Sequence, residues 1–156
     1  MTLHEVKPFV KPISVPNAFS GKVKVFTNCH ITEDEITLFN AALKAMSEYV
    51  SDNSIDLSDY FTLNVFFTED GSISFSEESS ANCGSQFHLA LYRMGKLRSL
   101  PDKYKKMLFV FIEELAHYFL RIADETIIKY KVAEILRYIL PSFTDEEMKN
   151  WGLNGL

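Results

Sequence analysis

The stretch that decides the fold, residues 101–124, reads PDKYKKMLFVFIEELAHYFLRIAD. It is too long for a strand and has no glycine or proline after Pro101, so it predicts one helix over residues 101–123. Pro101 suits the first helical position, because the N–H that it lacks would be unpaired there. Apolar side chains cover about two-thirds of the helical circumference. We therefore expect this helix at the centre of its domain, with one polar stripe open to solvent or to a cleft.

The polar stripe carries the cluster of residues that most suggests chemistry. It consists of Lys103, Lys106, Glu113, Glu114, His117, Arg121 and Asp124. Glu113 and Glu114 precede His117 by four and three residues, so all three share one face of the helix. Carboxylate and imidazole groups are good ligands for zinc and similar metals. A carboxylate beside a metal-bound water also serves as a general base.

Composition limits the classes of partner. The chain has 156 residues, of which 47% are hydrophobic and 24% charged, as in a globular domain with a sizeable core. Its net charge of −5, without a basic block, argues against a nucleic-acid partner. The longest apolar run, residues 107–112, is far shorter than the ~20 residues that span a bilayer, which argues against a membrane partner.

The N-terminal and cysteine patterns bear on organisation and compartment. Pro8, Pro12 and Pro16 predict an extended arm over residues 1–20 of a single domain, residues 1–156. The N-terminus lacks the apolar segment of a signal peptide. The two cysteines, Cys29 and Cys83, are too few for a disulfide framework or a cysteine-rich zinc site. The expected compartment is therefore the reducing cytoplasm.

Hydrophobic periodicity predicts an α+β fold, with a small, mostly antiparallel sheet packed on the central helix. Alternating side chains predict strands over residues 22–27, 61–68, 72–76 and 86–94, all in one sheet. Asp70-Gly71 predicts a hairpin between the second and third of these strands. Helical spacing predicts a helix over residues 32–51 that begins with a Thr32–Glu35 capping box, and a returning helix over residues 125–140. A second capping-box pattern at residues 144–147 predicts a short last helix.

The segment FIEELAHYFL, residues 111–120, resembles the active-site helix of the zincin metallopeptidases, whose motif is His-Glu-x-x-His. The order of elements is also similar: a helix, a small sheet, the motif helix and a returning helix. AEILRYILP, residues 133–141, resembles the Leu-Leu-x-Pro end of the second helix in ImmA/IrrE-type peptidases. The resemblance implies a zincin-like arrangement in which Glu114 matches the catalytic glutamate and His117 the second histidine.

Glu113 occupies the position of the family's first histidine. Glutamate also ligates zinc, so Glu113 is a candidate ligand, with two carboxylates and one imidazole on the metal. Such a metal is a weaker Lewis acid than one in a two-histidine site. The resemblance therefore implies a degenerate zincin-type domain without peptidase activity, which binds or regulates a protein or peptide partner.

In the gluzincin branch of the family, the returning helix supplies a third, acidic ligand. The acidic candidates here are Glu125 and Glu134. On a helical wheel Glu125 lies within roughly 40° of the apolar centre of that helix, whereas Glu134 lies about 140° away. Glu125 is thus the expected third ligand, with zinc the candidate metal. Alternatively, Lys129 or Lys131 forms a salt bridge with the stripe and replaces the metal altogether.

Other interpretations stay open. The polar stripe also has the composition of an ordinary solvent-exposed helix face, on which Arg121 pairs with its neighbours His117 or Glu114. In that interpretation the protein is a non-enzymatic interaction domain without a metal. A third interpretation is an active, atypical zinc-dependent hydrolase that uses Glu113, His117 and Glu125 as ligands and Glu114 as the base. Two further pairs, Cys29-His30 and Cys83 with His88, have the ligand chemistry but match no known finger spacing.

Overall fold

The computed structural model describes residues 2–4, 7–8, 13–76, 83–84 and 86–151, which form an α+β fold. The strands are β1 (Thr2–His4), β2 (Lys7–Pro8), β3 (Val23–Thr27), β4 (Leu63–Thr68), β5 (Ser74–Ser76) and β6 (His88–Arg93). The helices are α1 (Glu33–Asp52), α2 (Met94–Arg98), α3 (Lys103–Phe119), α4 (Glu125–Leu136) and α5 (Asp145–Asn150). No helix in these ranges has the length and apolar character that a bilayer crossing requires.

The main sheet is parallel at its centre, so the expectation of a mostly antiparallel sheet is wrong. Its strand order is β2-β3-β4-β6, and β4 runs parallel to both β3 and β6. Only the short β2 pairs with this sheet in the antiparallel sense. Alternation of apolar side chains reports which face is buried and carries no information on direction. The direction follows from the connections, because α1 crosses from β3 to β4.

The expected hairpin at Asp70-Gly71 is also wrong. The turn itself forms, with Ser72 N donating to Asp70 Oδ1 at 2.9 Å and Gly71 at a φ of +90°. However, β5 pairs with β1 in a separate two-stranded antiparallel sheet, so the four predicted strands do not share one sheet. Because β3 and β6 occupy the two edges of β4, no edge of β4 is left for β5.

The capping box predicted for α1 is confirmed. Thr32 Oγ1 accepts from Glu35 N at 3.2 Å, and Glu35 Oε1 accepts from Thr32 N at 2.9 Å. At the far end of the chain Thr144 caps α5, accepting a hydrogen bond from Glu147 N. Of the predicted N-terminal arm, several residues lie outside the described ranges, and Asn17–Phe19 forms a 3-10 turn.

The central helix is shorter than predicted at both ends. The Asp102 carbonyl accepts the first intrahelical bonds from Lys105 and Lys106, so Pro101 lies before the cap and not at the first helical position. At the other end Arg121 adopts a φ of +53°, a left-handed conformation that reverses the chain. Asp124 then caps α4, accepting from Thr126 N and Ile127 N at 2.9 and 2.8 Å.

The returning helix also ends early, at Leu136. Tyr138 N and Ile139 N bond to carbonyls three residues back, at 3.1 and 2.9 Å, which is the tighter geometry that often ends a helix. Pro141, five residues beyond Leu136, has no N–H to continue a helical bonding pattern. The resulting bend brings Phe143 back onto the core, where it is 2% exposed.

The core is built around α3, which lies against α1, α4 and β6. Phe111, Leu115 and Phe119 are all fully buried, as the periodicity of the central helix predicts. Phe111 meets Phe39 and Phe67 edge-on, with ring centroids 5.5 and 5.6 Å apart. This aromatic packing holds the apolar side of α3 inward and turns its polar stripe toward β6 and α4.

Candidate metal centre

Two helices bring the predicted ligands together. Glu113 and His117 lie one turn apart on α3, and the reversal at Arg121 returns Glu125, the first residue of α4, to the same place. His117 Nε2 lies 3.9 Å from Glu113 Oε1 and 3.7 Å from Glu125 Oε2. All three ligand atoms fall within 4.8 Å of one another. Whether they bind a metal stays a prediction.

The ring of His117 is oriented by a backbone contact. Its Nδ1 lies 2.6 Å from the carbonyl oxygen of Ile122, in the turn between α3 and α4. A carbonyl oxygen only accepts, so Nδ1 carries the hydrogen, and in the neutral ring Nε2 has a free lone pair. Histidines that bind metals commonly donate their other ring N–H to a carbonyl in this way. Nε2 is thus available to a metal between the two carboxylates.

The spacing of these atoms also suits a metal better than direct hydrogen bonds. At 3.7 and 3.9 Å, neither carboxylate is within hydrogen-bonding distance of Nε2. Tetrahedral zinc with bonds of about 2.0–2.2 Å separates its ligand atoms by roughly 3.4 Å. The two distances from Nε2 exceed that value by a few tenths of an ångström, and the two carboxylate oxygens, which lie within 4.8 Å of each other, would have to approach by up to about 1.4 Å to close around an ion.

Burial perturbs both acidic residues of α3. Burial is the main cause that raises the pKa of Glu113 to about 7, with a further rise from the charges of Glu114 and Glu125. His117 and Lys129 oppose that rise. The pKa of Glu114 is raised as well, chiefly by burial and then by Glu125. A nearby cation would stabilise the ionised form of both carboxylates.

The cations proposed from the sequence lie elsewhere. The Arg121 guanidinium lies over the ring of Tyr60, 4.4 Å from its centroid. Lys131 pairs with Glu134 at 3.3 Å on the far side of α4. Among the residues that the structure describes, Lys129 forms no ion pair with Glu113 or Glu114. None of the salt bridges proposed as a replacement for a metal is therefore present in that part of the chain.

The other acidic candidate on α4 is directed away from this cluster. Glu134 accepts a hydrogen bond from the hydroxyl of Tyr49 on α1, at 3.4 Å. The cysteine pairs do not form a site either, since the one group of three potential ligands in the described ranges is that of Glu113, His117 and Glu125. Cys29 instead contacts the Thr27 hydroxyl, and burial raises the pKa of its thiol.

A groove of about 600 Å³ opens beside the three acidic residues. Its walls come from β6, α2 and α3, and include Leu89, Leu91, Leu97, Leu100 and Val110 together with Glu113, Glu114 and Glu125. The strand β6 is the outermost strand of the main sheet, so its outer edge borders the groove. The arrangement therefore places an apolar surface next to a potential metal and next to Glu114, a potential proton acceptor.

No family model matches this chain, and neither the curated proteins nor the solved structures include a match. The likeness to zincins accordingly rests on the motif segments within residues 111–141 and the order of elements, and it stays a prediction.

Sequence reasoning did not predict that His88 lies near this centre. It identified the strand correctly but not its position beside α3, where His88 shares a pocket wall with Glu114 and His117. The alternation of apolar residues on β6 predicts which face of the sheet carries His88. Only the tertiary structure shows that α3 lies next to that residue.

Proposed function

We propose that this protein binds a divalent transition metal, with zinc as the candidate, through Glu113, His117 and Glu125. One observation carries the proposal: the three ligand atoms lie within 4.8 Å of one another, while Nδ1 of His117 is held by the Ile122 carbonyl. Three protein ligands leave a fourth position for water or for a ligand group. We further propose that the domain is zincin-like, on the strength of the motif on α3 and the returning α4.

The proposed role is binding or regulation of a protein or peptide partner, without peptidase activity. Two carboxylates would neutralise the charge of a divalent ion, so the metal would acidify its water less than in a two-histidine site. The net charge of −5 gives no support to a nucleic-acid partner. We further propose the reducing cytoplasm as its compartment, because two cysteines are too few for a disulfide framework.

Zinc binding is tested directly on protein purified without a His-tag. We expect about one equivalent of metal by elemental analysis, and a zinc titration that saturates at one site. His117→Ala and Glu125→Ala should each weaken binding at least tenfold, because each removes one of the three ligands. Glu134→Ala, on the same helix but turned toward Tyr49, is the matched control and should bind zinc like the unmodified chain. Equal binding by all four proteins would contradict the proposal and favour an interaction domain without a metal.

A second candidate function is favoured by Glu114. This half-buried carboxyl with a raised pKa lines the same groove as Glu113 and Glu125, two of the three proposed ligands, and a general base of a zinc-dependent hydrolase would lie in such a position. We expect the zinc-loaded protein to leave casein and unstructured peptides intact. Cleavage that disappears in Glu114→Gln but persists in Glu134→Gln would establish the hydrolase and refute the degenerate interpretation.

A further inference from the structure

Arg121 carries a positive charge that no acidic group in the described part of the chain neutralises. The residue lies in the turn between α3 and α4, in a left-handed conformation with a φ of +53°. Its guanidinium lies over the ring of Tyr60, 4.4 Å from the centroid, and within the described ranges it forms no hydrogen bond or ion pair. A ring face offers no lone pair, so the N–H donors of this exposed guanidinium are available to a ligand.

The rings beneath the guanidinium are held in place. The Tyr60 hydroxyl donates to the carbonyl oxygen of Phe119 at 2.7 Å, and the two rings lie against each other with centroids 5.8 Å apart. Tyr118 donates to the carbonyl oxygen of Phe61 at 2.6 Å and meets Tyr60 edge-on, with centroids 5.7 Å apart. A guanidinium that rests on a fixed ring loses less conformational freedom on binding than one that moves freely in solvent.

A pocket of about 320 Å³ opens beside Arg121 and is walled mainly by rings. Besides Arg121, its wall includes Asp59, Tyr60, Phe61, His88, His117 and Tyr118. Phe61 is 63% exposed, so a large apolar surface is open to whatever occupies the pocket. The Nε2 atom of His88 is closed off from solvent and takes no part in binding.

One permanent cation beside one carboxyl group favours a singly charged anion. Asp59 is exposed in the same wall and would repel a dianion such as phosphate, which is usually held by several cations or backbone N–H groups. A carboxylate has a single charge, and its two oxygens match parallel N–H groups of a guanidinium. The exposed ring of Phe61 would remove from water an apolar group attached to that carboxylate.

We propose that the pocket between Tyr60 and the C-terminal end of α3 binds a carboxylate that carries an apolar group, with Arg121 as the residue that holds the carboxylate. The guanidinium donates to both carboxylate oxygens, and the apolar group lies against Phe61 and Tyr118. None of these residues is a proposed metal ligand. The site therefore does not rest on the proposed function, although His117 borders both.

The test uses 3-phenylpropanoate as the probe and the uncharged 3-phenylpropanamide as the comparison. Binding to the full chain is measured by calorimetry at low salt, with a chelator present. We expect the carboxylate to bind and the amide not to bind. Arg121→Gln should weaken binding about tenfold or more, because it removes charge-assisted hydrogen bonds. Arg93→Gln, which removes the same charge from an exposed arginine outside this pocket, is the matched control and should bind like the unmodified chain.

Two further variants keep the result interpretable if Arg121→Gln disturbs the turn. Asp59→Asn removes the repelling charge, so it should tighten binding of 3-phenylpropanoate roughly two- to fivefold. Glu125→Gln removes a proposed zinc ligand that does not line this pocket. It should weaken zinc binding and leave binding of the carboxylate unchanged, so the two proposals can fail separately. Circular dichroism checks that each variant retains the fold.

A peptide that ends in phenylalanine with a free carboxylate distinguishes two sources of the ligand. Tighter binding of this peptide than of 3-phenylpropanoate assigns the pocket to the chain end of a partner protein, and the reverse assigns it to a free carboxylic acid. Equal binding of 3-phenylpropanamide, tighter binding of inorganic phosphate, or unchanged binding in Arg121→Gln would overturn the proposal.

Discussion

Glu113 carries an ionisable carboxyl group although the residue is buried, with only 7% of its surface exposed. Its immediate neighbour Glu114 is also acidic, and Glu125 approaches from α4. Removal from water and the two like charges both disfavour its ionised form, which is why its pKa rises to about 7. A bound cation would offset both the burial of the carboxylate and the repulsion from its acidic neighbours. The ionised Glu113 side chain therefore destabilises the metal-free fold but would favour metal binding.

This residue predicts a pH dependence of stability for the metal-free protein. The pKa of Glu113 in the folded protein, about 7, lies above the ordinary glutamate value of 4.5. The folded state therefore retains the proton longer, and stability declines as pH rises from about 4.5 to about 7. Glu113→Gln removes this penalty. We expect the variant to be more stable than the unmodified chain at pH 8, by up to about 3 kcal/mol, and the difference to shrink toward pH 5.

Urea denaturation at pH 5 and pH 8 with a chelator present measures that difference. Glu134→Gln serves as the control and should show no comparable gain at pH 8. A difference between Glu113→Gln and the unmodified chain that stays the same at both pH values would contradict the proposed ionisation. Saturating zinc should reduce the advantage of the variant, because the metal ion stabilises the ionised carboxylate.

At the scale of elements, the hydrophobic periodicity of α3 predicts its buried face but not its ends. The apolar positions of its sequence predict burial of Phe111, Leu115 and Phe119, and this prediction is confirmed. The ends of the helix are not predictable in the same way, because Asp102 and Arg121 adopt left-handed conformations at φ values of +51° and +53°. Such conformations depend on the turns that the neighbouring elements require.

The burial of Phe119 predicts a large loss of stability on truncation. Its ring packs on Phe19 and Tyr60, with centroids 4.7 and 5.8 Å apart. Phe119→Ala should lower the free energy of unfolding by about 3–5 kcal/mol, because it removes these contacts and leaves a cavity. Tyr104→Ala, on the same helix at 42% exposure, should change it by less than about 1 kcal/mol. Similar denaturation midpoints for the two variants would contradict the orientation of α3.

At the scale of the whole molecule, Arg98 connects parts that are distant in sequence. Its guanidinium donates to both carboxylate oxygens of Glu35 on α1, at 2.8 and 2.9 Å. It also donates to the carbonyl oxygen of His30 at 2.6 Å and to Glu69, beyond β4, at 3.2 Å. Glu35 is 3% exposed, so loss of Arg98 would leave a buried carboxylate without its cation.

Arg98→Met is therefore expected to lower the free energy of unfolding by about 2–3 kcal/mol. Guanidinium chloride would screen this ion pair, so urea denaturation is the appropriate measurement. Arg93→Met, an exposed arginine at the end of β6, is the matched control and should have little effect. A midpoint for Arg98→Met that coincides with that of Arg93→Met would show that the ion pair does not hold α1 to α2.

The sequence by itself determined the types of the helices α1, α3, α4 and α5 and of the strands β3 to β6, the buried face of α3, and the polar stripe that holds Glu113 and His117. These properties depend on side-chain periodicity and capping, which act over a few residues. It did not determine the parallel direction of β4 and β6, the pairing of β5 with β1, or the contact of Arg98 with Glu35. Those features depend on which strand edges are free and on where the connections run, so only the tertiary structure decided them.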